Sequence, residues 1–435
     1  MNEIEVVGSE ASMAPGLAPG VLASDVLTSG DETAPLGNDR PWLYGLLIGP
    51  SAVVANGVVQ GGVLSYLLSQ QGVGSEGQSH AIFWLALPTS LYFLWSPITD
   101  FFVRRRTWVL FGGFFAALLM AVGFYQKSLD SRTGMLVLLM SACCAQLVVS
   151  SCGGMMGAMR SVDSRKKAGS AYQAGSMGLG ALSAWVLVWM SSRTHQSVLG
   201  LAAAAMIFLP ALFVFALPRQ ETVETAGFGK TFRRIGEEFK ATFWRWEALP
   251  YVGCMIFPMA SGSAVGLLPG IAKQYGVNGD SVAWINGLLG GLLVAAGSAV
   301  MAMFKVRARA AVLYMIVALI NCAALCVLWL GPLAPMTYFT GVLLYLFTVG
   351  CCYAVFTMVV LEFLGDSGKS GSGRYSIINS LGNVPVLYMA LVDGWGGQRW
   401  GGRGLAGAEC VVGAVGASVL LGCLLLQRPV KKVQV

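Results

Sequence analysis

Along this chain, long apolar runs alternate with short polar segments. Twelve runs can be drawn: 42–70, 80–102, 107–126, 134–159, 168–191, 197–217, 249–272, 281–304, 309–330, 334–363, 374–395 and 404–427. Each is long enough to cross a hydrocarbon core roughly 30 Å thick. Lipid offers no partners to backbone polar groups, so a spanning segment must be a helix or a strand of a closed barrel. Barrel strands have only about 10 residues. The pattern therefore predicts an all-α polytopic membrane protein with twelve transmembrane helices.

The polar punctuation is uneven. Of the 28 basic residues, 22 fall in one set of segments: Arg40, Arg104 to Arg106, Arg160 to Lys167, 218–248, Lys305 to Arg309, Lys369, Arg374 and the last eight residues. The opposite loops hold only Lys127, Arg132, Arg193, Lys273, Arg399 and Arg403. Basic residues accumulate on the cytoplasmic side. The expected placement is a multi-pass protein of the inner (cytoplasmic) membrane with both termini cytoplasmic.

The longest connection, 218–248, divides the spans into six and six. Within it Phe228, Phe232, Ile235, Phe239, Phe243 and Trp246 recur at steps of three and four, which is one helical face. Lys230, Arg233, Arg234, Glu237, Glu238 and Lys240 lie off that stripe. An amphipathic helix on the cytoplasmic membrane surface is predicted. The expected organisation is a tail (1–41), a six-helix bundle (42–217), this linker, a second six-helix bundle (249–427) and a short cytoplasmic tail (428–435). The bundles read as diverged repeats. "FVRRRTWVLF" (102–111) and "FKVRARAAVLY" (304–314) each follow an even-numbered span, with Arg106 and Arg309 203 residues apart. "SMG" (176–178) and "SLG" (380–382) are 204 apart. A duplicated six-helix unit is a common ground plan of carriers, whose substrate site lies at the midplane between halves.

Composition agrees. The chain has 435 residues, 56% hydrophobic and 11% charged, whereas soluble domains carry about 25% charged residues. The net charge of +7 follows from the cytoplasmic bias, and there is no basic-aromatic patch of the kind that binds nucleic acid. The ten cysteines lie inside apolar runs, where Cys behaves as a small hydrophobe. Residues 1–40 carry seven acids and no aromatic residue, the composition of a disordered tail.

One boundary is abrupt. "YFLWSPITDFFVRRRTW" (92–108) sets Asp100 and three arginines between two apolar runs. This pattern resembles the loop signature of the major facilitator superfamily, with Ser96 in place of its glycine, Asp100 as the acid, and Arg104 and Arg105 as the basic pair. The resemblance implies a conformational latch at Asp100, Arg104 and Arg105 that grips the other half in the outward-open state. The string "FLWSPITD" is similar to the second-span motif of the AmpG-type muropeptide permeases, their acetyl-CoA transporter relatives and related siderophore permeases. "KKAGSAYQAGSMG" (166–178), "GVNGDSVAWINGLLGGLLVAAG" (276–297) and "SGRYSIINSLGNV" (372–384) resemble the same group. Those permeases carry acids beside a Gln in the fourth span. Here Gln146 is kept, followed by Leu147, Ser150 and Ser151, and the seventh span has no acid.

Ionisable residues at bilayer depth are functional candidates by default. Asp100, Asp280, Glu362 and Asp393 all read as span-end residues, and no acid is expected at depth. This predicts weak or absent proton coupling. His80 and His195 fall at the outer face. The candidates for binding a solute are neutral: Asn56 and Gln60 four apart in the first span, Gln146 in the fourth, Tyr172 and Gln173 in the fifth, Asn286 in the eighth, and Asn379 and Asn383 in the eleventh. In the superfamily that these motifs resemble, such spans line or flank the cavity.

"GDSGKSGSG" (365–373) lacks the leading glycine of a phosphate loop, since Phe363 stands there. Cys254, Met255 and Met259, with Met155, Met156 and Met159, offer the soft sulfur that suits copper(I). Their plainer role is to fill gaps between helices. Neither a catalytic nucleophile nor a metal cluster is evident, so an embedded enzyme is disfavoured. A sensor is disfavoured by the size of the tail. The expectation is a monomeric carrier without cofactor or resident metal. It would move a small polar organic solute (muropeptide-like or acyl-CoA/nucleotide-like) across the bilayer by alternating access, with a siderophore or copper permease as the alternative.

Overall fold

Apolar runs with high helix propensity and few internal breakers give helices of 21 to 30 residues. The computed structural model describes residues 40–95, 98–99, 103–157, 159, 162–217, 248–303, 309–364, 378 and 380–426, with isolated positions between 233 and 244. The predicted tail 1–39, Asp100, Asn379 and most of the linker lie outside the described residues. Among the described residues the protein is all helical. Its spans are α1 (41–70), α2 (75–95), α3 (Arg105–Tyr125), α4 (Arg132–Gly157), α5 (Val162–Ser191), α6 (196–216), α7 (249–275), α8 (279–303), α9 (Ala310–Leu330), α10 (Pro335–Leu364), α11 (384–399) and α12 (402–426). Nine stretches among the described residues are long and apolar enough to span a membrane, and one of these holds both α11 and α12. Trp400 and Gly401 reverse the chain between those two. The remaining two spans, α2 and α7, carry polar residues or a break.

The two-fold repeat is visible in the helices. α3 and α9 each have 21 residues, and each is preceded by an arginine N-cap, Arg104 or Arg309, with extended backbone (ψ 143° and 133°). The match continues in α1 and α7. Gly62 and Gly262, 200 residues apart, both adopt left-handed conformation (φ 75° and 69°), and each restarts a short helix. A residue with Cβ is strained there. Both first helices of the bundles are thus broken at equivalent points, which the sequence reading had drawn as continuous runs.

The two restarted segments pack against each other. Ser65 Oγ donates to the Gly266 carbonyl at 2.5 Å, and a Cβ on Gly62 would meet Pro269. α2 lies on α11 with similar closeness: Gly394 and Gly397 face Ser79 and Ser75. The short turns gather at this same end. Gln71 bonds Gln196 and accepts from the Leu129 amide, while Gln274 accepts from the Gly402 amide. We call it the turn end. Arg193, after α5, makes a bidentate ion pair with Asp280 at the start of α8, at 2.7 and 3.0 Å, and so ties the halves together. The side chains remain 41% and 51% exposed, so salt screens the pair. Arg193→Ala is expected to raise the fraction of molecules open at the turn end a few-fold at low salt and less at high salt. Labelling of introduced turn-end cysteines would measure this.

At the opposite end, several contacts lie within each half. Arg105 donates to the Gly154 carbonyl at 2.6 Å and Arg106 to the Val214 carbonyl at 2.6 Å. Glu362 accepts from the Ala310 amide, capping α9, and from the Tyr251 hydroxyl. Of the predicted linker stripe, Phe239 and Phe243 pack together, and Phe243 meets Phe363 of α10.

Candidate functional site

α5 carries Tyr172 and Gln173 and receives the side chain of Asn56. In α1, residues 52–59 are π-helical, and in α8 residues 283–289 are too. A π-helical segment inside an α-helix is rare and is found often at functional sites. Asn56 sits in the first of these segments and Asn286 in the second. Asn56 donates to the Ser176 carbonyl (3.1 Å) and hydroxyl (2.9 Å) on α5. Further along α5, Trp185 packs on Trp284 of α8 with ring centroids 5.4 Å apart, and a Cβ on Gly287 would meet it. One helix of the first half therefore touches both π-helical segments, one of them across the seam.

Three buried polar atoms of α4 and α5 have no protein partner among the described residues: Gln146 Oε1, Gln173 Nε2 and Trp185 Nε1. Buried polar groups are nearly always bonded, so each exception needs an explanation. Gln173 stands one turn before Ser176. Gln146 on α4 uses its amide to donate to the Thr89 hydroxyl of α2 at 2.9 Å. Gln60 is half-buried where α1 meets α7, near Gly266. The remaining candidates have structural partners. Asn286 donates to the Tyr338 hydroxyl of α10 at 2.9 Å. Tyr172 is packed in a core with Tyr44, Cys152 and Met155. The buried Asn383 accepts from Ser90 of α2 through its carbonyl. Arg104 is exposed at the start of α3. The proposed copper residues are dispersed: Met155, Met156 and Met159 lie in that first-half core, while Cys254 and Met259 belong to one second-half cluster and Met255 to another. Among the described residues no group of His, Cys, Asp and Glu could hold a metal ion.

The expectation that no acid lies deep in the protein is overturned. Asp393 is 0% exposed and Glu409 3%. The sequence placed Asp393 at the end of a span, but α11 continues six residues past it, about 9 Å of helix. Glu409 lies eight residues beyond the turn at Gly401, about 12 Å along α12. The chain break at α7 brings Ser261 and Ser263 to them. Ser263 Oγ bonds Asp393 Oδ2, and also Glu409 Oε2 at 2.9 Å. Ser261 donates to Glu409 Oε1 at 2.8 Å, and the Tyr345 hydroxyl of α10 donates to the same oxygen at 3.2 Å. The missed signal was an acid preceded by small residues (Ala406 to Ala408) inside an apolar run.

Two bundles of six spans, related by repeat, broken at matching glycines and joined at one end, define a membrane solute carrier. The chain belongs to the Major Facilitator Superfamily, whose model matches residues 46–387. Among solved structures it resembles the D-xylose-proton symporter (12% identity, TM-score 0.67, covering 87% of this chain and 95% of that one). It also resembles the nucleoside transporter NupG (13%, 0.63, 89% and 98%) and a mutant of NupG (13%, 0.66, 89% and 99%). At these identities the likeness is one of fold. A comparison with curated protein sequences gives no match.

Proposed function

We propose that this carrier moves a neutral or zwitterionic polar organic solute across the cytoplasmic membrane by alternating access, with both termini in the cytoplasm. The observation that carries this is the set of orphaned buried donors and acceptors on α4 and α5, Gln146 Oε1, Gln173 Nε2 and Trp185 Nε1, with α5 touching both π-helical segments. A few unsatisfied neutral groups among apolar side chains would fix a solute's orientation by hydrogen bonds and stacking rather than by charge. The indole of Trp185 adds a flat face for a sugar or base. The structural neighbours named for a nucleoside and for D-xylose are carriers of hydroxylated solutes, in line with this chemistry. The motifs shared with AmpG-type permeases favour a sugar-peptide or nucleotide-like cargo within that class. In the proposed cycle the structure is the state closed at the turn end, and the Asp100, Arg104 and Arg105 latch acts in the other state.

Purified protein in liposomes, offered labelled nucleosides, pentoses, anhydro-muropeptides and acetyl-CoA, tests the reading. Saturable uptake of one class supports it, and no uptake above empty liposomes for any class argues against it. For the transported solute, Gln146→Ala and Gln173→Ala are each expected to raise KM about 5–10-fold, the value of one hydrogen bond of about 1–1.5 kcal/mol. A KM unchanged in both variants would remove these residues from the site.

A further inference from the structure

The acid pair between α11 and α12 plays no part in holding the solute as described, and its hydrogen bonds carry an arithmetic consequence. Four contacts join hydroxyl oxygens to carboxyl oxygens: Ser261 to Glu409 Oε1, Tyr345 to Glu409 Oε1, Ser263 to Glu409 Oε2, and Ser263 to Asp393 Oδ2. Each hydroxyl owns one proton, so three hydroxyls supply three donors. Ser263 cannot donate to two carboxylates at once. The fourth bond needs a proton that belongs to a carboxyl group. Ser263 bridges the two carboxyls, and two carboxylates held on one hydroxyl repel unless one of them carries a proton.

Among the described residues no compensating cation bonds the pair. Around the pair, α10 contributes Tyr345, Tyr353 and Cys352, and α9 contributes Cys322 and Cys326. α11 adds Tyr388 and α12 adds Cys410. α7 brings Ser261 and Ser263. α2 brings Ser75 and Ser79, with Glu76 and His80 exposed. Arg399 lies over the Trp395 ring and Arg403 bonds the Gly331 carbonyl. Leaving both buried carboxylates charged would take two ions from water without a partner.

We infer that Asp393 and Glu409 form a proton-binding site, holding one exchangeable proton between them while the turn end is closed. The reaction is a simple acid dissociation: an O–H bond of the pair breaks and the proton passes to water. The site is wired to the closure. Ser263, which bridges both acids, opens the restarted segment of α7, and one turn later that segment receives the Ser65 bond from α1. Gly394, next to Asp393, presses on Ser79 of α2. Loss of the proton turns the pair into two repelling charges at the root of both contacts and loosens the turn end. In the transport reading this couples the cycle to protons, and the inference deepens that reading.

The test needs no transported solute, so a failure to find one leaves it intact. Infrared difference spectra of the whole protein in phosphatidylethanolamine–phosphatidylglycerol vesicles are recorded while pH is stepped from acid to alkaline. The expected result is a protonated-carboxyl carbonyl band that shifts in heavy water, is insensitive to sodium, and is lost or displaced in Asp393→Asn and Glu409→Gln. After correction for the intrinsic base-catalysed rate, hydrogen-exchange protection of residues 61–70 and 263–271 should fall several-fold at alkaline pH in the native protein and stay flat in Asp393→Asn. Absence of such a band in the native protein overturns the proposal whatever the variants do. So does a band removed by sodium at fixed pH, which would mark a metal-cation site, or a band that persists unmoved in both variants.

Discussion

Replacing Gly62 by valine should hold the turn end apart. Gly62 has φ 75°, and a Cβ there would lie 2.2 Å from Pro269 Cγ and 2.7 Å from its Cδ. Two costs add. A β-branched residue in left-handed conformation is strained by about 1–2 kcal/mol. The overlap with a rigid proline ring in the facing helix cannot be relieved by a rotamer change. Together they favour separation of α1 from α7 by well over tenfold. Pulsed electron-resonance distances between labels at Gln71 and Lys273 would report it as a longer, dominant population. Gly72→Val is the matched control: its φ is 81°, but nothing lies within 4 Å of the added Cβ. An unchanged distance in Gly62→Val, or an equal change in Gly72→Val, would refute the steric seam.

The second large effect concerns folding. α8 and α10 cross with backbones in contact. A Cβ on Gly297 would stand 2.0 Å from the Phe347 carbonyl oxygen, and one on Gly350 would stand 2.0 Å from that of Val294. The crossing is stitched by Ser298 donating to the Gly350 carbonyl at 2.9 Å and Cys351 to the Gly297 carbonyl at 3.3 Å. Small residues allow this approach, and packing drives association of helices in lipid. Gly297→Leu or Gly350→Leu must push two backbones apart, at the upper end of the roughly 1–3 kcal/mol typical of overpacking or beyond it. We expect loss of monodisperse protein in fluorescence-detected gel filtration. Gly178→Ala, where a Cβ meets nothing within 4 Å, should behave as the native chain. A folded Gly297→Leu protein would show that this crossing is looser than described.

The span pattern was legible because lipid leaves the backbone no alternative to helix over 20 apolar residues. The repeat was legible in the basic residues before α3 and α9, although the helices align Arg309 with Arg104 rather than with Arg106. Asn56 and Gln146 stand out in the sequence as polar residues inside apolar runs. The breaks at Gly62 and Gly262 were not found. Apolarity continues through them, and one left-handed glycine changes direction without changing composition. Glu409 was not found for a related reason: its partners, Ser261, Ser263 and Tyr345, lie 148, 146 and 64 residues away in the chain. Trp185 reads as one more apolar residue until α8 is laid beside it.

The wall that shuts the turn end takes one restarted half-helix from each bundle, and neither has a substitute within its own bundle. A gene split in the 218–248 linker would therefore make two products that each lack half of the lid. Expressed apart, they should leave that end unsealed, and only co-production of both pieces should restore a tight vestibule.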